Sequence, residues 1–122
     1  MTANKHKKNF FLSADQIVQL IDSKEGCIAS DRITVDGCKV GFMYREETSN
    51  SPYPDSGWRF MAGDEDEDYM DNAENHAIYL VNTICNYDPE IIPFLNAPPG
   101  SAFIRNESGA LVPDEEWEVP SE

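Results

Sequence analysis

Positive charge is scarce in this chain. Its 9 Lys and Arg stand against 23 Asp and Glu, for a net charge of -14 over 122 residues. Without a basic face, counterion release from phosphates has nothing to act on, so no nucleic-acid partner is expected. Long apolar runs are missing as well. None approaches the roughly 20 residues of a membrane span, and no membrane association is expected. The basic stretch Lys5-His6-Lys7-Lys8 leads only into Phe10-Phe11-Leu12, too short for a signal-peptide core. Three cysteines, Cys27, Cys38 and Cys85, form no C-x-x-C pair, and their odd number argues against a disulfide framework. They read as reduced, packed side chains of a cytoplasmic protein. The two histidines, His6 and His76, lie far from any cysteine at ligand spacing, so no zinc set can be assembled and no cofactor is expected.

What is present fits one domain of this length. Leu, Ile, Val and Phe make up about a fifth of the chain, just above the level at which high charge implies disorder. Residues 1–9 read as a flexible basic arm, 10–112 as a single α+β domain, and 113–122 as an acidic tail that Trp117 and Val119 could tack down. Ser13-Ala14-Asp15-Gln16 has the form of a capping box, and Ile17, Leu20 and Ile21 recur at helical spacing. A short helix over about 14–23 follows. Asp36-Gly37 predicts a two-residue hairpin turn. After it Cys38, Val40, Phe42 and Tyr44 alternate with Lys39, Gly41, Met43 and Arg45 as one buried strand face. That register places Asp31 opposite Phe42, so the strand bulges or breaks there, or Asp31 is buried with a partner such as an arginine. Residues 47–57 read as a long exposed loop. Trp58, Phe60 and Ala62 form the buried face of another strand, and Ala77-Ile78-Tyr79-Leu80-Val81 reads as a central strand covered on both sides. Asp88-Pro89 starts a second short helix. Ala102-Phe103-Ile104-Arg105 is a strand that turns through Asn106–Gly109 into 110–112. The sum is a mainly antiparallel sheet of about five strands with two short helices on one face.

The charge is unevenly placed. Residues 1–45 carry seven basic and five acidic side chains, whereas 46–122 carry two basic and 18 acidic. The densest run is Asp64-Glu65-Asp66-Glu67-Asp68, continued by Asp71 and Glu74. Such runs are ordinarily solvated faces; the functional reading is a surface that attracts a basic partner. As a calcium loop the run fails, because Tyr69 stands at the turn-glycine position and Asn75 at that of the bidentate Glu; a weak, non-EF divalent site is the residual metal reading. No nucleophile–base pair, G-x-S-x-G elbow or phosphate-cradling loop is present. A Cys85–His76 pair has only sequence proximity behind it, so no enzyme is expected. Exposed aromatics fit a binding surface better. Trp58 alternates with Phe60 as core, which leaves Tyr53, in the loop, and Tyr69, beside the acidic run, as the surface aromatics. The candidate partner-binding residues are therefore Tyr53, Asp64, Glu65, Asp66, Glu67, Asp68, Tyr69 and Asp71. The rival readings are a ligand- or divalent-metal-binding module and a small hydrolase built on a buried carboxylate such as Asp31.

Several blocks resemble the bacterial immunity protein 33 family, first catalogued as a domain of unknown function. They are Ser30-Asp31-Arg32-Ile33-Thr34-Val35-Asp36-Gly37 through Gly41-Phe42-Met43-Tyr44-Arg45-Glu46, then Asp55-Ser56-Gly57-Trp58-Arg59-Phe60-Met61-Ala62-Gly63-Asp64. Tyr69-Met70-Asp71-Asn72 and Val81-Asn82-Thr83-Ile84-Cys85-Asn86-Tyr87-Asp88-Pro89 follow in order. The resemblance covers about residues 10–106. It implies an immunity protein of a polymorphic toxin system, whose partner is a cognate protein toxin neutralised in the cytoplasm. The family brings no established catalytic residues, so none is carried over.

Overall fold

The computed structural model describes residues 8–48, 54–115 and 117. Six strands form one sheet: β1 (Gly26–Ser30), β2 (Phe42–Arg45), β3 (Asp55–Met61), β4 (His76–Leu80), β5 (Ala102–Arg105) and β6 (Leu111–Pro113). Their spatial order is β4-β1-β3-β2-β5-β6, and every pairing is antiparallel except β1 with β3. Three short α-helices join them: α1 (Asp31–Thr34), α2 (Glu67–Asp71) and α3 (Val81–Tyr87). A 3-10 segment, Pro89–Phe94, follows α3.

Pleating decides which residues meet. Cys27, Ala29, Met43, Trp58, Phe60 and Phe103 share one face of the sheet, and Ile33, Val81, Ile84, Cys85 and Ile91 pack onto it in one buried cluster. Trp58 and Phe60 stack with ring centroids 6.1 Å apart, each contributing roughly 1.5–3 kcal/mol by burial. The Trp58 indole N–H donates to the Leu95 carbonyl at 3.2 Å, so the polar edge is satisfied inside the core. The opposite face is open toward its sides, where Ile78 and Ile104 are exposed, and closed at its centre, where Arg59 and Met61 are buried. It carries Ile28, Ile78, Arg59, Tyr44, Phe42, Met61 and Ile104, aligned by the registers Ile28↔Ile78, Tyr44↔Arg59 and Phe42↔Ile104.

The α+β class and the single, mainly antiparallel sheet match the sequence expectation, with six strands instead of five. Several details differ. The helix over 14–23 is only a 3-10 turn at Ala14–Gln16, where Gln16 accepts the Ser13 N–H at 2.8 Å. Beyond it the chain is extended because the side-chain amides of Asn82 and Asn86 supply its backbone partners. The Val18 and Leu20 N–H groups donate to Asn86 Oδ1 and Asn82 Oδ1 at 3.0 and 2.7 Å. Both Asn side chains donate back to the Val18 carbonyl. No hairpin forms at Asp36-Gly37. Ser30 caps α1 by accepting the Arg32 N–H, and Gly37, at φ 80°, stops the helix while its N–H reaches the Ile33 carbonyl. Gly37 has the left-handed backbone that such a turn requires, but it ends a helix. Asp31 thus opens α1 rather than facing Phe42, and it pairs with Lys8 at 2.7 Å.

Strand β2 faces the other way from its expected pattern. Met43 is fully buried in the core, and Phe42 and Tyr44 lie on the open face. The cause lies one residue earlier. A Cβ on Gly41 would sit 1.9 Å from the Ala62 carbonyl oxygen, so the chain passes β3 too closely to keep a regular pleat through Val40 and Phe42. Residues 77–81 are not a central strand either. Strand β4 is the sheet edge, with Ile78 57% exposed, and Val81 begins α3. The centre is β3, which takes Asp55 to Gly57 out of the expected loop and buries Ser56. Residues 49–53 of that loop, the arm at 1–7, and 116 and 118–122 of the tail lie outside the described residues.

Candidate interaction surface

A groove of about 730 Å³ runs along the open face. Its floor is apolar: Phe42, Tyr44, Met61, Met70 and Ile104. Its rim is charged, with Asp64 and Glu65 among its lining residues together with Lys39 and Arg105. Trp117 lies 5.0 Å from Tyr44 and Phe42 5.6 Å, which extends an aromatic row along this face. The tail residue expected to tack down does so here. Burial and the charge of Glu46 push the Tyr44 hydroxyl pKa up, so it stays protonated as a donor.

The acidic run divides into two groups. Asp64 is held by Arg32, whose Nη2 and Nε donate to its two oxygens at 2.6 and 3.2 Å. Those bonds draw the Asp64 carboxyl below the usual range. Glu65 accepts the N–H groups of Ala62 and Gly63 at 2.8 and 2.9 Å, closing the turn after β3. Asp66 caps α2 by accepting the Tyr69 N–H at 2.8 Å. Three of the five carboxylates therefore hold the segment in place. Glu67, Asp68 and Asp71 lie on α2, exposed and without an ion-pair partner among the described residues. Tyr69 turns inward, its ring edge-on to His76 at 6.3 Å, and burial raises its pKa. The Nε2 of that histidine is buried with no hydrogen-bond partner among the described residues. Tyr53 lies outside the described residues.

Two arginines fix the sheet beneath the groove. Arg59, almost fully buried, forms ion pairs with Asp55 at 2.9 Å and Glu46 at 2.8 Å. Arg105 donates to Asp88 at 2.7 Å, to Glu90 at 2.6 Å, and to the carbonyls of Val40 and Gly109. Asp88 is 1% exposed and also accepts the N–H groups of Val40 and Glu90. The sequence signalled Asp88 only as a helix cap; the arginine that faces it comes from 17 residues further on.

Cys85 and Asp31, each named for a catalytic alternative, do not line the groove. Cys85 is packed in the core, and desolvation pushes its thiol up to about 11, away from thiolate chemistry. Asp31 is occupied by Lys8. Among the described residues, no three His, Cys, Asp or Glu side chains are grouped to hold a metal ion, and no helix is long and apolar enough to cross a membrane.

No curated protein and no solved structure matches the chain at a significant level. The sequence does match the Immunity protein Imm33 domain over residues 27–115. That span runs from β1 through β6 and contains the groove, α2 and both arginine networks. Matched over well more than half its length, the chain belongs to the Imm33 immunity protein domain family.

Proposed function

We propose that this immunity protein neutralises a cognate toxin in the cytoplasm by seating its open sheet face on a basic surface of the toxin and occluding the active site. The observation that carries this reading is the apolar groove bordered by α2, where Glu67, Asp68 and Asp71 have no ion-pair partner among the described residues. An apolar floor with a charged rim is the usual layout of a protein interface: the floor supplies affinity and the rim supplies steering. The partner's chemistry follows. It presents Lys or Arg around an apolar anchor, as the substrate groove of a nuclease does. The acidic surface is therefore narrower than the whole run at 64–71, because Asp64, Glu65 and Asp66 have structural partners.

The test is titration of the protein against the toxin encoded beside it, at several salt concentrations. Affinity should fall with salt. Neutralising Glu67, Asp68 and Asp71 together to Gln and Asn should slow association roughly tenfold without lowering Tm. Ile104→Asp, at the groove floor, should instead speed dissociation. Affinity indifferent to salt and to both variants would remove the basis for this surface.

A further inference from the structure

Strand β4 forms one edge of the sheet. The Val81 N–H reaches the Glu25 carbonyl at 3.0 Å, so Tyr79 and Ala77, at the same phase, turn their backbone groups toward β1. His76, Ile78 and Leu80 turn theirs outward. Edges are normally blunted by Lys, Pro, a bulge or extreme shortness. The far edge, β6, has three residues and ends in Pro113. Strand β4 has five residues, His76-Ala77-Ile78-Tyr79-Leu80, with none of these devices and no irregularity in its pairing to β1.

Glu74 precedes the strand and Glu25 lies opposite Val81 just past its end; between them the edge itself is uncharged. Residues 75–87 contain no Asp, Glu, Lys or Arg, and 10–21 contain only Asp15. Ile78 and Leu80 are about half exposed on the strand. Val18 and Leu20, also exposed, are tied to Asn86 and Asn82 of the next element.

We propose that this edge pairs with a second copy of the chain, β4 against β4 and antiparallel. Charge selects this occupant. A body of net charge -14 repels its own copy at most approaches, and a neutral edge is where that repulsion is least. A basic partner gains nothing electrostatic there. Geometry agrees: a two-fold axis at Ile78 sets Ile78 against Ile78 and His76 against Leu80, and each pair exchanges two ladder bonds through the outward groups. The ladder is short, so the dimer is of the weak class, micromolar to tens of micromolar.

Sedimentation velocity on the toxin-free protein, under reducing conditions from about 1 to 300 μM, tests this directly. The expected result is a monomer–dimer equilibrium that tightens as salt rises, opposite in sign to toxin binding. Ile78→Lys, which sets two ammonium groups face to face, should weaken it at least tenfold with an unchanged far-UV spectrum. Ile78→Cys should yield a covalent dimer on oxidation, since Cα atoms about 5.5 Å apart suit a disulfide. The groove variant Ile104→Asp should leave the dimer intact, which separates this interface from the toxin surface. A monomer at every concentration and salt, or a dimer indifferent to Ile78→Lys, would overturn the proposal.

Discussion

Asp88→Ala removes one carboxylate that accepts three hydrogen bonds at once: from Val40 N–H at 3.0 Å, Glu90 N–H at 3.1 Å and Arg105 Nη2 at 2.7 Å. Breaking a buried ion pair from one side costs about 3–5 kcal/mol, because the surviving charge stays desolvated. Here the survivor is Arg105, whose side chain is 15% exposed and keeps Glu90 and two carbonyls. The loss therefore falls at the lower end, about 3 kcal/mol. Against a total of about 5–15 kcal/mol this is a large fraction. With a urea m-value of about 1–3 kcal/mol/M, the midpoint should drop by about 1–3 M at constant m. Arg105→Met should cost more, since the partner left behind is the 1% exposed Asp88 rather than a partly solvated guanidinium. Urea unfolding followed by Trp fluorescence reads both variants. A midpoint shift under about 0.3 M for Asp88→Ala, or a smaller loss for Arg105→Met than for Asp88→Ala, would refute this account of the pair.

Two further outcomes follow from single contacts. Gly41→Ala places a Cβ 1.9 Å from the Ala62 carbonyl oxygen, a backbone atom that cannot rotate away. Its cost should reach the upper end of overpacking, about 3 kcal/mol, seen as a Tm lower by roughly 10 °C. In the acid range, Asp64 and Glu90 are held below their ordinary values of 3.8 and 4.5 by hydrogen bonds from Arg32 and Arg105. Each contributes stability that is present above its ordinary value and is lost as pH falls through the folded one. The Tm gap between wild type and Asp64→Asn should therefore be present at neutral pH and close below pH 3.8; a gap that persists at lower pH would contradict the assigned cause.

The elements legible in the sequence were those whose signals are local. Alternation around Trp58 and Phe60 marks a strand, Asp88-Pro89 marks a cap, and Asn106 to Gly109 marks a turn; each is present, but β3 is buried on both faces, Arg59 and Met61 included, where alternation predicts one. The misread elements were decided at a distance. Ile17, Leu20 and Ile21 have helical spacing, but Asn82 and Asn86, more than sixty residues away, bind that backbone as an extended segment. Phe42 and Tyr44 alternate correctly on the wrong side, because Gly41 pressed against Ala62 resets the pleat. Ala77 to Val81 looks buried on both sides by composition, yet topology leaves β4 at the edge. The acidic run was visible as charge; its division into Asp64, Glu65 and Asp66, which have partners, and Glu67, Asp68 and Asp71, which have no ion-pair partner among the described residues, depends on Arg32 and on the turn after β3.

The Asn82–Asn86 clamp has a kinetic consequence. Segment 17–21 borrows its hydrogen bonds from side chains of α3, so it has no partners until that helix exists and has settled on the sheet. It should therefore form late and open early. Its amides should exchange with solvent through local opening, at a free energy below that of the sheet. The domain thus holds a two-tier hierarchy of order: a sheet that melts as one unit, and an N-terminal strap released by a smaller fluctuation.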